Sequence, residues 1–439
     1  MRLLRAKVGG HFVLQNSGWF TIHPGCTSIA APGGSGKSTL LRSLRSINPP
    51  SCDSNPAPFA EFPRFITTAG YRRKILPAKK TAVIAVFVCD DPLREKLAAI
   101  DPVYWQVDRI EVGRRLDYFR WITFIEIAAS SRWSELDQEM VRLRELFREG
   151  KAAAELLNFF QENASLQGAD RVKGALAEDL NTLLDRLIAH ASSEQQNQHL
   201  LKVRRIVNRA KRYQEAVRVV ENSIPVFVYL DHSCLLSGHI SGGVKAENAG
   251  RQQTGCRHCP DLFLYEFLGI ARLFQEQDDE GQISGQLKEQ AAYLEEACKQ
   301  LSARLSIYLP EIPITLSIKP ANGGSEVQAS IGGSPFASLA ALGKPLRWML
   351  SCAVCACYYS EPEKREIVFL LDEPDAALSQ KEKSYLATFL LRLSASHQLL
   401  VATAAASPFP PKSGRQYRLK KEESGSIMVD LIEKNYSRK

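Results

Sequence analysis

The sequence predicts an α/β protein in which both ends of the chain build one parallel sheet around a central helical insertion. Strand candidates alternate with helix candidates in residues 1–130 and again in residues 225–439. In residues 131–224, apolar residues recur every three or four positions with little glycine or proline, which is a helical period. Alternating strands and helices are typical of parallel sheets, so we expect two half-domains and an insertion between them.

The elements can be placed in order along the chain. The N-terminal segment contains strand candidates at residues 26–30, 81–89 and 107–112. The insertion begins with Ser134-Glu-Leu-Asp137, a capping-box pattern that predicts a helix start. Divided into two to four helices, it would have helices about 30–45 Å long at about 1.5 Å per residue, which describes a short stalk or lid. The C-terminal segment contains strand candidates at residues 225–230, 314–319, 327–331, 367–371 and 399–403, a closing hairpin, and helix candidates at residues 261–274, 286–307, 339–359 and 381–393.

The composition is that of a soluble globular protein. Of 439 residues, 45% are hydrophobic and 24% are charged, and the net charge is +8. The chain has no apolar run of about 18 residues, so we expect no transmembrane helix, and its N-terminus lacks the apolar stretch of a signal peptide. We therefore expect a cytoplasmic protein without a membrane partner, whose 10 cysteines stay reduced.

A glycine-rich loop joins the first strand candidate to a helix. It reads Ala31-Pro-Gly-Gly-Ser-Gly-Lys-Ser38 and continues into Thr39-Leu-Leu-Arg-Ser-Leu. This sequence between a strand and a helix is typical of a phosphate-binding loop, in which backbone N–H groups and the helix N-terminus hold phosphates. Lys37 would reach the β and γ phosphates. We therefore expect ATP to bind Gly33, Gly34, Ser35, Gly36, Lys37, Ser38 and Thr39.

A second motif near the C-terminus supplies two carboxylates. Ile367-Val-Phe-Leu-Leu-Asp-Glu-Pro374 is an apolar strand that ends in Asp372 and Glu373. In open α/β sheets ligands bind at the carboxyl ends of the strands, so these acids should lie beside the loop. We expect Ser38 and Asp372 to hold Mg²⁺, and Glu373 to act as the general base toward water. The catalytic set is thus Lys37, Asp372 and Glu373.

The two motifs around a helical insertion resemble an ABC-type ATPase head. Among such heads the chain is most similar to the SMC, RecF/RecN and OLD-like group, which includes small prokaryotic ATPases of anti-phage defence systems. The resemblance covers both chain ends and implies a P-loop ATPase head, with the phosphate loop in residues 1–130 and the acids in residues 225–439. Asp375-Ala-Ala-Leu378 resembles the D-loop, which touches the opposing protomer in that group.

The resemblance also implies partners. Such heads hydrolyse ATP between two protomers, so we expect a homodimer or a larger assembly. Because no toprim nuclease domain is recognisable in the chain, an effector such as a nuclease would be a separately encoded protein. The expected function is an ATPase that senses or clamps DNA, or that regulates such an effector, in anti-phage defence or in DNA repair.

The chain departs from the pattern of this ATPase group in three places. Ala31 replaces the first glycine of the loop. The signature segment falls at Ala340-Ala-Leu-Gly-Lys344, where Gly343 is kept as a nucleotide contact but Ala341 replaces the serine. Alanines at 404–406 stand where the group has a switch histidine. Loss of polar contacts to a reacting group slows such chemistry by orders of magnitude, so we expect tight ATP binding and slow hydrolysis.

A basic segment of the insertion suggests a nucleic-acid surface. Residues 202–218 carry seven positive residues and one acid, and a continuous helix would place Lys202, Arg205, Arg209 and Arg212 on one face. Such a stripe suits the phosphates of duplex DNA. A solvated face or a contact for an acidic protein are the alternatives.

The cysteines leave two further readings open. Cys256-Arg-His-Cys259 could contribute to a zinc site or remain as free thiols, since zinc needs four ligands. Cys352 and Cys355 lie on an apolar helix candidate, which indicates core positions. At the level of the whole protein, a transporter ATPase subunit and a nucleotide-bound scaffold without hydrolysis are the competing functions.

Overall fold

The computed structural model describes residues 1–9, 14, 16–51, 80–241, 259–269, 283–321, 324–361, 364–376, 378–404, 414–421 and 427–431. The chain forms two compact units. The first contains residues 1–88, 112–121 and 224–439, and the second contains residues 89–111 and 122–223. Both chain ends therefore belong to one unit, as the sequence predicts.

The described elements follow in chain order. Up to residue 124 they are β1 (Arg2–Val8), β2 (Phe20–Thr21), β3 (Cys26–Ala30), α1 (Lys37–Arg45), β4 (Thr81–Val88), α2 (Asp91–Ala98), β5 (Arg109–Arg115) and β6 (Arg120–Phe124). Then come α3 (Trp133–Leu146), α4 (Gly150–Glu162), α5 (Ala175–His190), α6 (Glu194–Val207) and α7 (Arg209–Ser223). The remaining elements are β7 (Val226–Asp231), β8 (His239–Ser241), α8 (Cys259–Phe267), α9 (Ile283–Tyr308), β9 (Ile314–Ala321), β10 (Gly324–Ile331), β11 (Ala337–Ser338), α10 (Lys344–Tyr359), β12 (Ile367–Asp372), α11 (Gln380–Ser396), β13 (Gln398–Thr403), β14 (Gly414–Lys421) and β15 (Ile427–Leu431).

A six-stranded sheet with the order β15-β14-β3-β13-β12-β7 is the centre of the first unit. The strands from β14 to β7 are parallel, and β15 pairs with β14 in the antiparallel sense. Every residue of β12 and β13 is buried, which is typical of strands covered on both faces of a parallel sheet. The predicted α/β fold, with a parallel sheet built from both chain ends, is confirmed.

Two further sheets correct the expectation of a single one. Strands β2, β1, β4, β5 and β6 form a five-stranded sheet, and β8 to β11 form a four-stranded sheet. The predicted strands at residues 81–89, 107–112, 314–319 and 327–331 therefore lie outside the parallel sheet. For β9 and β10 the reason is that only two residues of sequence separate them, because parallel strands need a connection of a dozen or more residues.

A buried glutamine ties the N-terminal strand to the C-terminal half of the first unit. The backbone N–H of Leu3 donates to Gln398 Oε1 at 2.7 Å, and Gln398 Nε2 donates to the Leu3 carbonyl at 2.9 Å. The side chain of Gln398 thus replaces the ladder bonds that Leu3 would make with another strand. This contact connects β1 with the start of β13.

The second unit corrects the predicted number and length of the helices. It contains five helices in the insertion, of 13 to 16 residues each. At about 1.5 Å per residue they reach only about 20–24 Å. Two of these helices start at glycines with positive φ, Gly150 and Gly174. Another, α6, starts at a polar cap, where Ser193 accepts a hydrogen bond from the N–H of Gln196 in a capping box.

Three predicted helix boundaries also change. The first helix of the insertion begins at Trp133 rather than at Ser134, because Glu135 accepts a hydrogen bond from the N–H of Arg132. The helix expected at 339–359 begins at Lys344, after a short 3-10 turn at Leu339–Ala341. The helix expected at 261–274 runs from Cys259 to Phe267, and residues 268–269 form a turn, while residues 270–282 lie outside the described part.

None of the helices in the described ranges has the length and apolar character that a membrane crossing requires. The longest, α9, has 26 residues with acids and bases along its length. The mostly buried α10 is rich in cysteine and alanine but has only 16 residues. Cys352 and Cys355 are fully buried in the core of the first unit, so the prediction of core positions for both is confirmed.

Candidate functional site

The carboxyl ends of four neighbouring strands form one edge of the parallel sheet. In the strand register, Ala30 pairs with Thr403, and Asp372 lies between Ala402 on one side and Asp231 on the other. Strands β3 and β12, which precede the two predicted motifs, are separated only by β13. The motifs therefore emerge at the same edge, where ligands bind in such sheets.

The glycine-rich loop leaves β3 and ends at α1. Gly34 and Gly36 have φ values of 71° and 93°, a region that favours glycine, and Gly36 is the N-cap residue of the helix. A Cβ atom on Gly33 or Gly34 would meet nothing within 4 Å, so the loop has open space beside it. The loop can therefore turn its backbone N–H groups toward an anion at the helix N-terminus.

Alanine in place of the first glycine is compatible with this loop. The side chain of Ala31 is buried, and its N–H donates to the carbonyl of Thr403 at 3.1 Å. This bond continues the pairing of β3 with β13. The residue therefore extends the strand.

Lys37 connects the loop with the acidic motif. Its side chain is only 4% exposed, and Nζ lies 2.9 Å from Glu373 Oε1. Nζ also donates to the carbonyl of Ala31. A buried ammonium group needs such partners, because an unpaired buried charge is costly. The structure thus brings together two of the predicted catalytic residues from opposite ends of the chain.

Glu373 has an unusual backbone conformation. Its φ of 49° lies in the left-handed region, which costs a residue with a side chain about 1–3 kcal/mol. A hydrogen bond of 2.8 Å from its N–H to the Ala402 carbonyl holds it there. The left-handed turn directs the chain away from β12 and leaves the carboxylate beside Lys37. Strain of this kind concentrates at functional sites.

The side chain of Asp372 is buried, and only one of its two carboxylate oxygens has a hydrogen-bond partner among the described residues. Its Oδ2 accepts a hydrogen bond of 2.7 Å from the hydroxyl of Tyr229, whereas Oδ1 is buried and has no hydrogen-bond partner among the described residues. A buried carboxylate oxygen without a partner is unfavourable unless a ligand satisfies it. Carboxylate oxygens are the donors that Mg²⁺ prefers, so Asp372 fits the predicted metal-binding role.

Two further polar side chains belong to this region, and one of them, Asp231, was not predicted as a site residue. Ser35 was predicted to bind ATP as part of the glycine-rich loop, and its Oγ is buried without a hydrogen-bond partner among the described residues. Asp231 ends β7 beside Asp372. Burial alone would raise the pKa of Asp231, but hydrogen bonds from Ser233 lower it below the usual range. The signal for Asp231 was available, since it ends an apolar strand in the same way as Asp372.

The signature segment lies at the start of α10. Gly343 is its N-cap residue and is exposed, as are Ala341 and Lys344. Ser338, which precedes this segment, accepts a hydrogen bond from the N–H of Ala340 and caps the 3-10 turn. Among the described residues of one chain, no hydrogen bond or ion pair joins Gly343 to the glycine-rich loop. The exposed helix start is free to meet another molecule.

The switch region is described only in part. Thr403 is buried at the end of β13, and Ala404 follows it. Residues 405–413, with the other two alanines, lie outside the described part, as does Ala377 of the D-loop segment. Of the cysteine motif, Cys256 lies outside it, and only the backbone of Cys259 is described. The zinc alternative therefore remains a prediction.

The basic segment differs from the expected stripe. It is two helices, because α6 ends at Val207 and α7 starts at Arg209. Three of the four predicted cations form ion pairs within the second unit: Lys202 with Glu139 at 3.0 Å, Arg209 with Glu135 at 2.6 Å and Arg212 with Asp101 at 2.6 Å. Neighbouring acids therefore neutralise three of the four side chains that were predicted to contact DNA.

Comparison with known proteins gives similarity of structure alone. No protein-family model and no curated protein sequence matches the chain significantly. Similar solved structures include an Smc head bound to the C-winged helix domain of ScpA, at 12% identity over 98% of both chains with a TM-score of 0.44. Another is an Smc head domain with an extended coiled coil bound to the C-terminal domain of ScpA, derived from Pyrococcus furiosus, at 13% identity over 98% of this chain and 96% of that chain with a TM-score of 0.43. A third is the SMC head domain from Thermotoga maritima, at 10% identity over 99% of this chain and 100% of that chain with a TM-score of 0.39.

Proposed function

We propose that the chain is an ATP-binding, slowly hydrolysing ATPase of the SMC/RecF/OLD-like type. One observation carries the proposal: Lys37 of the glycine-rich loop lies 2.9 Å from Glu373, which follows Asp372 at the end of β12. A nucleoside triphosphate is bound and cleaved by such a set of groups at one edge of a sheet: a glycine-rich loop, a lysine and a pair of acids.

Each residue has a defined task in this proposal. Backbone N–H groups from Gly33 to Thr39 bind the phosphates at the start of α1, and Lys37 adds a positive charge. Ser38 and Asp372 hold Mg²⁺, which supplies neutralisation of phosphate charge when bound. Glu373 accepts a proton from the attacking water through its carboxylate. The ion pair with Lys37 holds the Glu373 carboxylate beside the glycine-rich loop.

Self-association is part of the proposal. Gly343 starts a 16-residue helix at an exposed position, with backbone N–H groups of its first turn lacking intrahelical partners. In a homodimer this helix start would face the nucleotide of the partner subunit. Without a serine at 341, it offers fewer donors to the phosphate. We therefore propose slow hydrolysis.

The test is phosphate release from ATP by the purified chain and by Glu373→Gln. We expect low but measurable release by the natural protein and a loss of about 10²–10⁴-fold in the variant. Arg392→Gln, which removes an ion pair with Glu311 outside the proposed nucleotide site, serves as the control and should keep the natural rate. Equal and negligible release by both proteins, with ATP still bound, would favour the nucleotide-bound scaffold.

The biological role is the finer part of the proposal. We propose a cytoplasmic protein that regulates a separately encoded effector, such as a nuclease, in anti-phage defence. Binding of duplex DNA is retained as a prediction, although the ion pairs of Lys202, Arg209 and Arg212 weigh against it. A transporter subunit is a weaker alternative, because the signature segment and the helical insertion do not fit one.

A salt-dependent assay decides on the DNA surface. Reversal of charge at Arg205 and Arg209 together should weaken binding to a duplex, with a smaller dependence on salt concentration. The matched control reverses Arg148 and Lys151, which are exposed at the start of α4 in the same unit. Equal affinity of the two double variants for the duplex would show that α6 and α7 do not form a DNA-binding surface.

A further inference from the structure

The side chain of Asp372 is held by two residues that the proposed nucleotide site does not otherwise use. Tyr229 lies on β7, next to β12, and its hydroxyl donates to Asp372 Oδ2 at 2.7 Å. Arg42 lies on α1 and donates from Nε to the same hydroxyl at 3.3 Å. Its guanidinium group also lies over the Tyr229 ring, 5.4 Å from the ring centroid. A continuous chain of contacts thus leads from α1 to Asp372.

The strand register explains why these residues meet. Asp372 pairs with Asp231, and Tyr229 precedes Asp231 by two residues, so both side chains lie on the same face of the sheet. Arg42 follows Lys37 by five residues in the helix that starts at the glycine-rich loop. The three residues therefore connect the element that carries the loop with the strand that carries the acids.

The hydroxyl of Tyr229 is a proton donor to Asp372. Its side chain is buried, and a phenol hydroxyl is both a donor and an acceptor that carries its proton at neutral pH. The hydroxyl therefore stays protonated and gives its hydrogen to Oδ2. With Oδ2 engaged, rotation of the carboxylate is restricted and Oδ1 is left without a partner.

We propose that Tyr229, supported by Arg42, is a positioning residue that fixes the Asp372 carboxylate so that Oδ1 is available to a divalent cation. This inference rests on the proposed nucleotide site and adds a residue to it. Hydrogen bonds that orient a metal ligand typically change metal affinity by about 10–100-fold. Tyr229 touches neither nucleotide nor water in this role, and its effect passes through Asp372.

The experiment measures the Mg²⁺ dependence of nucleotide binding instead of turnover. A fluorescent, non-hydrolysable ATP analogue is bound to the full chain at increasing Mg²⁺ concentration, and the half-saturating Mg²⁺ concentration is determined. For Tyr229→Phe we expect a rise of about 10–100-fold, with unchanged affinity for the analogue in EDTA. Tyr308→Phe, which removes the hydroxyl of another buried tyrosine, one bonded to His397, should behave like the natural protein.

Further variants separate the possible failures. Asp372→Asn should remove the Mg²⁺ response altogether. If it does, and Tyr229→Phe stays within threefold of Tyr308→Phe, the positioning role is wrong while the proposed nucleotide site stands. If the natural protein itself shows no Mg²⁺-dependent binding, both are wrong. If circular dichroism shows that Tyr229→Phe does not fold, Arg42→Lys is used in its place. This variant keeps the positive charge but removes the Nε–H group that donates to the Tyr229 hydroxyl. An unchanged half-saturating Mg²⁺ concentration in Arg42→Lys would overturn the inference.

Discussion

Lys37 and Glu373 form an ion pair of 2.9 Å across a separation of most of the chain. The lysine is almost fully buried, whereas the side chain of Glu373 is 36% exposed. The pair brings the helix that begins at the glycine-rich loop next to the end of β12. Substitutions at and around this contact therefore test the site through stability as well as through chemistry.

The backbone of Glu373 gives the first prediction. Because its φ is 49°, Glu373→Val should destabilise the protein by about 1–3 kcal/mol relative to Glu373→Gly, since β-branched residues rarely adopt this conformation. Urea unfolding of the two variants measures the difference. Equal stability of the valine and glycine variants would show that the left-handed turn after β12 is not present.

The second prediction concerns a close approach in the first unit. A Cβ atom on Gly113 would clash with the Trp121 ring, whose Nε1 donates to Thr81 Oγ1 at 3.0 Å. Gly113→Ala should therefore cost about 1–3 kcal/mol in the free energy of unfolding, as overpacking does. In the background of Trp121→Leu the same substitution should cost much less. A penalty that persists without the indole would contradict the described packing.

The third prediction is a dependence of stability on pH. Burial lowers the pKa of His397 from 6.5 to about 4. The unfolded chain then takes up a proton before the folded chain does, so this residue contributes stability above pH 6.5 that is lost as the pH falls toward 4. His397→Phe, which keeps a ring beside Phe369 and Tyr308, should reduce the fall in unfolding temperature between these pH values.

His190, which is exposed at the end of α5, supplies the control for this measurement. His190→Phe should leave the pH dependence of the unfolding temperature as it is in the natural protein. An identical loss of stability in His397→Phe and the natural protein would mean that other groups produce the whole effect.

The fourth prediction distinguishes structural cations from exposed ones in the second unit. Arg212 pairs at 2.6 Å with Asp101, a buried carboxylate that also caps the following 3-10 turn. Arg212→Gln should lower the free energy of unfolding by about 1–3 kcal/mol, because the carboxylate loses its charged partner. Lys211→Gln, at the neighbouring exposed position, should change it by less than about 0.5 kcal/mol. Similar values for both would contradict a structural role of Arg212.

Much of the first unit was predictable because its motifs are local. The glycine-rich loop and the apolar strand ending in Asp372 and Glu373 are each contiguous in sequence. Motifs of both kinds occur at the carboxyl ends of parallel strands, so their positions in the sheet follow from the sequence. The role of Tyr229 was not predictable, since a tyrosine among apolar residues is typical of any buried strand. Its contact with Asp372 depends on which strands are neighbours.

The errors in the insertion have a different physical origin. Periodicity identifies helices, but it does not show where a helix stops when the stop is a single polar residue such as Asn208. The separation of α6 and α7 changed the expected surface of Arg209 and Arg212. The acids that pair with them, Glu135 and Asp101, are distant in sequence, and no local pattern reveals such partners.

Calorimetric titration of the full chain with ATP in the presence of Mg²⁺ tests the central claim most directly. The account predicts one binding site per chain, with affinity reduced at least tenfold in Lys37→Ala, and with the Mg²⁺-dependent part lost in Asp372→Asn. Absence of binding to the natural protein, or binding that both variants retain in full, would contradict the account.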